Sequence, residues 1–98
     1  MKITTTTNGT SMVAALEGRL DTETAPRLEK ELTGKLSGID ELTLDLKDLE
    51  YISSAGLRVL MWAYKNMSRD SRIKAINAND IVREVFTVTG FTEILTIE

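Results

Sequence analysis

The hydropathy pattern predicts an α/β fold: a mixed β-sheet with helices packed on one side, in the order β-β-α-β-α-β-α-β. Three observations lead there. Apolar residues recur at period 2 on one face of residues 12–20 (Met12, Ala14, Leu16, Leu20), and apolar and polar residues alternate strictly over 42–46, the period of half-buried strands. Three other segments space their apolar residues three and four apart, as amphipathic helices do. After an opening hairpin, each helical segment stands between two strand segments, so those strands should lie parallel, joined by right-handed crossovers.

The elements follow in order. Thr4 to Thr7 are β-branched and suit a strand at a sheet edge, and Asn8-Gly9 is the commonest pair for a two-residue hairpin turn. Met12, Ala14, Leu16 and Leu20 then share one period-2 face, so the first 20 residues read as a hairpin. Over 22–36, Ala25, Leu28, Leu32 and Leu36 form a helical stripe, with Pro26 in the first turn and Gly38 closing the segment. Leu42-Thr43-Leu44-Asp45-Leu46 is the next strand, followed by a short loop. From Ser54 the helical period returns, with Leu57, Leu60, Met61, Tyr64 and Met67 on one face. Residues 72–76 are a short strand. Asn79 caps a third helix running to about Val88, with Val82, Val85 and Phe86 inward, and Gly90 ends it. Residues 94–97 make the last strand.

The chain has 98 residues, enough for one domain spanning 1–98, with 42% hydrophobic and 28% charged residues. Its formal charge of −3, with no basic cluster, argues against nucleic acid or an anionic membrane as the main partner. No apolar run approaches the roughly 20 residues of a membrane span and the first residues do not read as a signal peptide, so a cytoplasmic location is expected. The sequence contains neither Cys nor His. Disulfides, zinc-finger ligand sets, imidazole bases, thiol nucleophiles and phosphohistidine carriers are therefore excluded. No cofactor or metal site is expected, and nothing in the pattern demands more than a monomer.

The segment from Asp45 to Leu60 carries the functional signal. Ser53 and Ser54 stand where a strand gives way to a helix. The first N–H groups of a helix lack intrahelical partners, and the aligned peptide dipoles make that end partly positive. A phosphate on a serine there would meet free donors and a favourable field, adding about −1.5 to −2 charge units. Ala55 and Gly56 leave little side chain around it, so a second protein can approach closely. The plainer reading is that Ser is a common N-cap residue and the pair simply starts the helix.

Asp45-Leu46, Leu49 and Tyr51-Ile52-Ser53-Ser54-Ala55-Gly56-Leu57-Arg58-Val59-Leu60 resemble the signature segment of bacterial anti-sigma factor antagonists, a branch of the STAS domains. Gly18-Arg19-Leu20-Asp21 is similar to the Gly-x-Leu-Asp that precedes the family's first helix, and Val88-Thr89-Gly90-Phe91 to its turn before the last strand. The three matches are in register across nearly the whole chain. The resemblance implies a STAS-like domain that works by partner switching and catalyses nothing itself. Such an antagonist binds an anti-sigma factor that is also a serine kinase, is released when the kinase phosphorylates it, and is restored by a serine phosphatase. One departure stands out. Many members read Asp-Ser-Ser/Thr-Gly, whereas this chain places Ser53 at the Asp position and Ala55 directly before the glycine. Ser54 keeps the middle position and is the expected acceptor, with Ser53 the alternative. The partner surface implied is Asp21, Ser53, Ser54, Ala55, Gly56, Leu57 and Arg58.

Several residues have competing roles. Asp21 serves equally well as a cap before a helix. Arg58 opposes the helix dipole in the first turn, so it suits a phosphate or an acidic partner, or simply solvent. Met61, Tyr64 and Met67 are at core spacing, and Trp62, off that stripe, is a candidate contact residue. The same fold serves as an adaptor subunit of membrane lipid-transport complexes, which is the alternative function. Asp45 and Asp48 flank a strand end as in a receiver domain or small hydrolase, yet no nucleophile–base pair or phosphate-binding glycine loop accompanies them.

Overall fold

A computed structural model describes all 98 residues, Met1–Glu98. Strand β1 (Lys2–Asn8) pairs antiparallel with β2 (Ser11–Leu20). Helix α1 (Ala25–Leu32), strand β3 (Glu41–Ile52), helix α2 (Ser54–Asn66), strand β4 (Arg72–Ile76), helix α3 (Asp80–Val88) and strand β5 (Leu95–Ile97) follow, with a single 3-10 turn at Phe91–Glu93 before β5. The five strands form one sheet in the order β1-β2-β3-β4-β5, parallel from β2 onward. The expected mixed sheet and element order are present.

Inward residues alternate along the strands. Met12, Leu42 and Ile73 form one row across β2, β3 and β4, and Ala14, Leu44 and Ala75 the next. All are buried, while their neighbours Val13 and Thr43 look out on the uncovered face. The helices lay Leu28, Leu32, Leu60, Ala63, Val82 and Phe86 onto the covered face, completing one cluster of 25 buried hydrophobic residues. No polar or charged side chain is buried in it. No helix is long and apolar enough to cross a membrane.

Four details depart from the sequence reading. The hairpin turn is Gly9-Thr10, not Asn8-Gly9, because Asn8 still pairs with Ser11. Only Gly9 takes a positive φ (64°), the sign pattern of a type II′ turn with glycine first. Helix α1 stops at Leu32 rather than near Leu36. Thr33 turns extended, with its N–H and hydroxyl both donating to the Glu29 carbonyl, and Gly34 (φ 81°) rather than Gly38 ends the helix. Leu36 still reaches the core from the loop.

The third departure matters most for the site. Strand β3 has no loop after Leu46 but continues to Ile52. Ala15 pairs with Asp45 but Glu17 with Asp48, and Gly18 pairs with Leu49 but Arg19 with Tyr51. Each step inserts one extra residue into β3, a β-bulge. The buried positions therefore run Leu44, Leu46, Leu49, Ile52, and only Ser53 separates strand from helix. Finally, the buried face of α2 is Gly56, Leu57, Val59, Leu60 and Ala63, continuing to Met67 just beyond the helix. Met61 sits at its edge and Tyr64 is exposed, because the face turned to the sheet is centred on Gly56, Val59, Leu60 and Ala63 rather than on the Leu57–Met61–Tyr64 stripe.

Candidate functional site

The parallel strands β2 and β3 end side by side. Leu20 pairs with Ile52, so the next residues, Asp21 and Ser53, emerge together at the carboxyl edge of the sheet, where α/β folds commonly place ligand sites. The Ser53 N–H donates to the Leu20 carbonyl at 2.9 Å, which fixes the start of α2 against β2.

The two serines have different environments. Ser53 is half-buried and is the N-cap: its Oγ accepts from the Gly56 N–H at 3.5 Å, and its carbonyl accepts from Leu57 N–H at 3.0 Å. Ser54 is the first helical residue, is exposed, and its hydroxyl makes no hydrogen bond within the chain. The N–H groups of Ser54 and Ala55 likewise have no partner in the chain, so two free donors stand beside a free hydroxyl. Both readings of the serine pair thus have a physical counterpart, one on each residue.

The neighbouring residues fall into three groups. Gly56 and Leu57 are buried, and Gly56 points inward: a Cβ there would lie 2.7 Å from Leu20 Cγ and 2.9 Å from Ile52 Cγ1. Gly56 therefore lets α2 approach the sheet closely, and it offers a partner no side chain. Ala55 is half-buried and Arg58 exposed, one turn beyond Ser54 on the same side of the helix. Arg58 has no carboxylate partner within 4.0 Å.

Two shallow grooves flank this turn of α2. One, toward α1, is lined by Thr22, Ala25, Pro26, Glu29, Ala55 and Arg58, together with Val59. The other is almost wholly apolar apart from its mouth, with Leu57, Met61 and Phe91 behind Ser54 and Arg58. Arg58 lines both. Trp62 is half-buried against the core and lines neither groove.

Asp21 does not cap α1 directly. Its Oδ1 accepts from the N–H groups of Glu23 (3.0 Å) and Thr24 (3.2 Å) and from the Thr24 hydroxyl, closing the turn that leads into the helix. The Thr24 N–H contributes most to holding the Asp21 carboxyl below the ordinary carboxylate range, with Glu23 N–H, the Thr24 hydroxyl and the Arg19 charge adding to it. Arg19 itself lies over the Tyr51 ring, 4.7 Å from its centroid, and 3.9 Å from Asp21 Oδ2. This Tyr51–Arg19–Asp21 row beside Ser53 was not predicted from the sequence. Its only linear trace is the pair Arg19 and Asp21, because the contact with Tyr51 depends on a register displaced by two bulges. Asp45 and Asp48 lie elsewhere, at the bulge beside Lys2, Glu17 and Lys47, and Asp45 Oδ1 accepts from Asn77 Nδ2 at 3.1 Å.

Comparison with known proteins agrees with this architecture. The family described as "Mlab, STAS domain" matches residues 3–96. BtrV of Bordetella bronchiseptica, whose name places it among the anti-sigma factor antagonists, is 34% identical over 99% of this chain and 85% of its own length. An anti-sigma factor antagonist from Mycobacterium paratuberculosis has the same fold, with a TM-score of 0.87 at 21% identity, covering 98% of this chain and 83% of that one. So does the Bacillus cell-fate determinant SpoIIAA in its phosphorylated form, with a TM-score of 0.76 at 14% identity, covering 99% and 91%.

Proposed function

The chain belongs to the STAS-domain family of anti-sigma factor antagonists, and from that membership we propose that it works by partner switching, with Ser54 as the switch. Unmodified, it docks an anti-sigma factor that is also a serine kinase, through the turn of α2 that begins at Ser54. Phosphorylation of Ser54 by that kinase ends the complex, and a serine phosphatase restores it. Ser53, Ala55, Leu57 and Arg58 line the contact together with the Asp21 turn, while Gly56 acts from inside by allowing the close approach.

The observation that carries this reading is the division of labour between the serines. Ser53 is spent on the cap, whereas Ser54 is exposed with an unengaged hydroxyl and free N–H groups beside it. The apolar groove of Leu57, Met61 and Phe91 supplies burial area, and Ser54 stands at its rim. A dianion at that rim desolvates badly against an apolar or acidic partner surface. A thousandfold loss of affinity needs about 4 kcal/mol, within reach of a dianion pressed against an apolar or acidic partner surface. No change of fold is required. The phosphorylated form of SpoIIAA supports the chemistry by analogy of fold.

The test is reconstitution with the cognate kinase and ATP, followed by mapping of the phosphate by mass spectrometry. Ser54 should carry it and Ser54→Ala should remain unmodified, while Ser54→Asp should bind the kinase at least about a hundredfold more weakly, some 2.7 kcal/mol. Modification at Ser53 in the Ser54→Ala protein, or undiminished binding by Ser54→Asp, overturns the assignment. The alternative is an adaptor subunit of a membrane lipid-transport complex, against which the intact Ser53-Ser54-Ala55-Gly56-Leu57 segment speaks. Affinity purification separates the two, since an adaptor brings down a transporter ATPase and an antagonist a histidine-kinase-like ATPase.

A further inference from the structure

Strand β1 closes one side of the sheet and pairs only with β2, so its outer edge is open. Ile3 to Thr7 are five consecutive β-branched residues, with no Pro, no charge and no bulge among them. Sheets usually protect an edge with charge, proline or a bulge, and an edge lacking all three is a template for another strand. Lys2 is the only charged residue of the strand.

Beside this edge, α1 forms the wall of an open groove of about 410 Å³, lined by Ile3, Arg27, Lys30, Glu31 and Lys35. The linear sequence hides this concentration because Glu29 and Glu31 intervene. The helix turns Glu29 to the opposite side, toward α2. Glu31 is already engaged, with Lys35 Nζ 2.9 Å from its Oε2. Arg27 and Lys30 have no carboxylate partner within 4.0 Å. In a chain of net charge −3, this is a local reversal of sign next to an unpaired strand.

We propose that the β1 edge is a second docking site, taking an acidic extended segment of a partner protein as a sixth strand, with its carboxylates over Arg27 and Lys30. The main-chain bonds of the added strand supply affinity, and its alternate side chains supply selectivity. Alternate residues of a strand recur every ~6.8 Å on one face, close to the ~5–6 Å between helix neighbours three apart such as Arg27 and Lys30. Charge also decides against the other obvious occupant. A second copy pairing β1 to β1 would bring Arg27, Lys30 and Lys35 of both molecules toward one seam, like against like. The site shares no lining residue with the grooves at Ser54, and it stands whether or not Ser54 is the switch.

The experiment titrates the isotopically labelled full chain with two short synthetic peptides, one alternating Glu with Val and the other Lys with Val. The Glu peptide should shift the amide resonances of Thr4 to Thr7 and slow hydrogen exchange of the alternate N–H groups among them that face away from β2, and added salt should weaken it. The double variant Arg27→Glu/Lys30→Glu, its fold checked by circular dichroism, should bind about tenfold more weakly, and the milder Lys30→Gln should fall between. Ser54→Asp should bind unchanged. No response at Thr4 to Thr7 up to millimolar Glu peptide, or equal binding of the Lys peptide, overturns the proposal. Self-association through β1 in sedimentation runs also overturns it, in favour of a second copy.

Discussion

At Gly56 the space of a single carbon decides where α2 can start. The backbone there is ordinary helix, so the requirement for glycine is room: an added Cβ meets Leu20 and Ile52 at under 3.0 Å. Gly56→Ala should therefore destabilise the fold by about 1–3 kcal/mol through overpacking, read as a lower denaturant midpoint with an unchanged slope. Ser54→Ala, two residues away and exposed, should leave the midpoint nearly unmoved. The contrast separates a packing residue from a surface one inside a single tetrapeptide. In the sequence, Ser53 and Ser54 were legible as the opening of a helix, because Ser before an apolar periodic run is a chemical signal. Which of them caps, and that Gly56 faces inward, was not legible. Both depend on how closely the helix lies on Leu20 of β2, a residue distant in sequence, as well as on Ile52 just before it.

At the scale of elements, Asn79 joins α3 to the sheet. Its Oδ1 accepts from Val82 N–H at 2.8 Å while its Nδ2 donates to the Leu49 carbonyl at 3.1 Å. Asn79→Ala should cost about 1–2 kcal/mol, losing the cap and the tie together. Asn79→Asp keeps the cap acceptor but not the donor, and should fall between wild type and Ala in urea unfolding. The cap was legible; the tie to Leu49 was not, since the predicted strand stopped at Leu46. Strand β3 hides its second half because its two bulges turn a spacing of two into a spacing of three, Leu46, Leu49, Ile52, which reads as neither strand nor helix. Helix α1 was overextended for the opposite reason. Leu36 keeps the helical spacing and is buried, yet it reaches the core from a loop after Gly34 has ended the helix.

For the whole molecule, the absence of any buried polar side chain means that no titration inside the core governs stability. The two carboxyls held below their ordinary range, Asp21 by the Thr24 N–H and Glu31 by its hydrogen bond from Lys35, both lie at the surface around α1. A carboxyl that binds its proton less readily when folded contributes fully above the ordinary carboxylate range. That contribution fades as pH falls through the depressed folded value. Acid should therefore loosen α1 and the 21–24 turn first, with only a modest drop in global stability, and amide exchange across Ala25–Leu32 against pH is the check. Earlier or equal loosening of β3 would contradict this.

The sequence by itself determined the class of fold, the order of its elements, the family and the hydroxyl-bearing helix start, because each rests on local periodicity or on a contiguous motif. Hydrophobic spacing needs only neighbours a turn or a pleat apart. The tertiary structure alone decided the rest: the bulged register that sets Arg19 over Tyr51, the inward turn of Gly56, and the gathering of Arg27 and Lys30 beside an open strand edge. These are relations between residues distant along the chain. Strand pairing and helix rotation fix them, and one inserted residue in a strand is enough to change them.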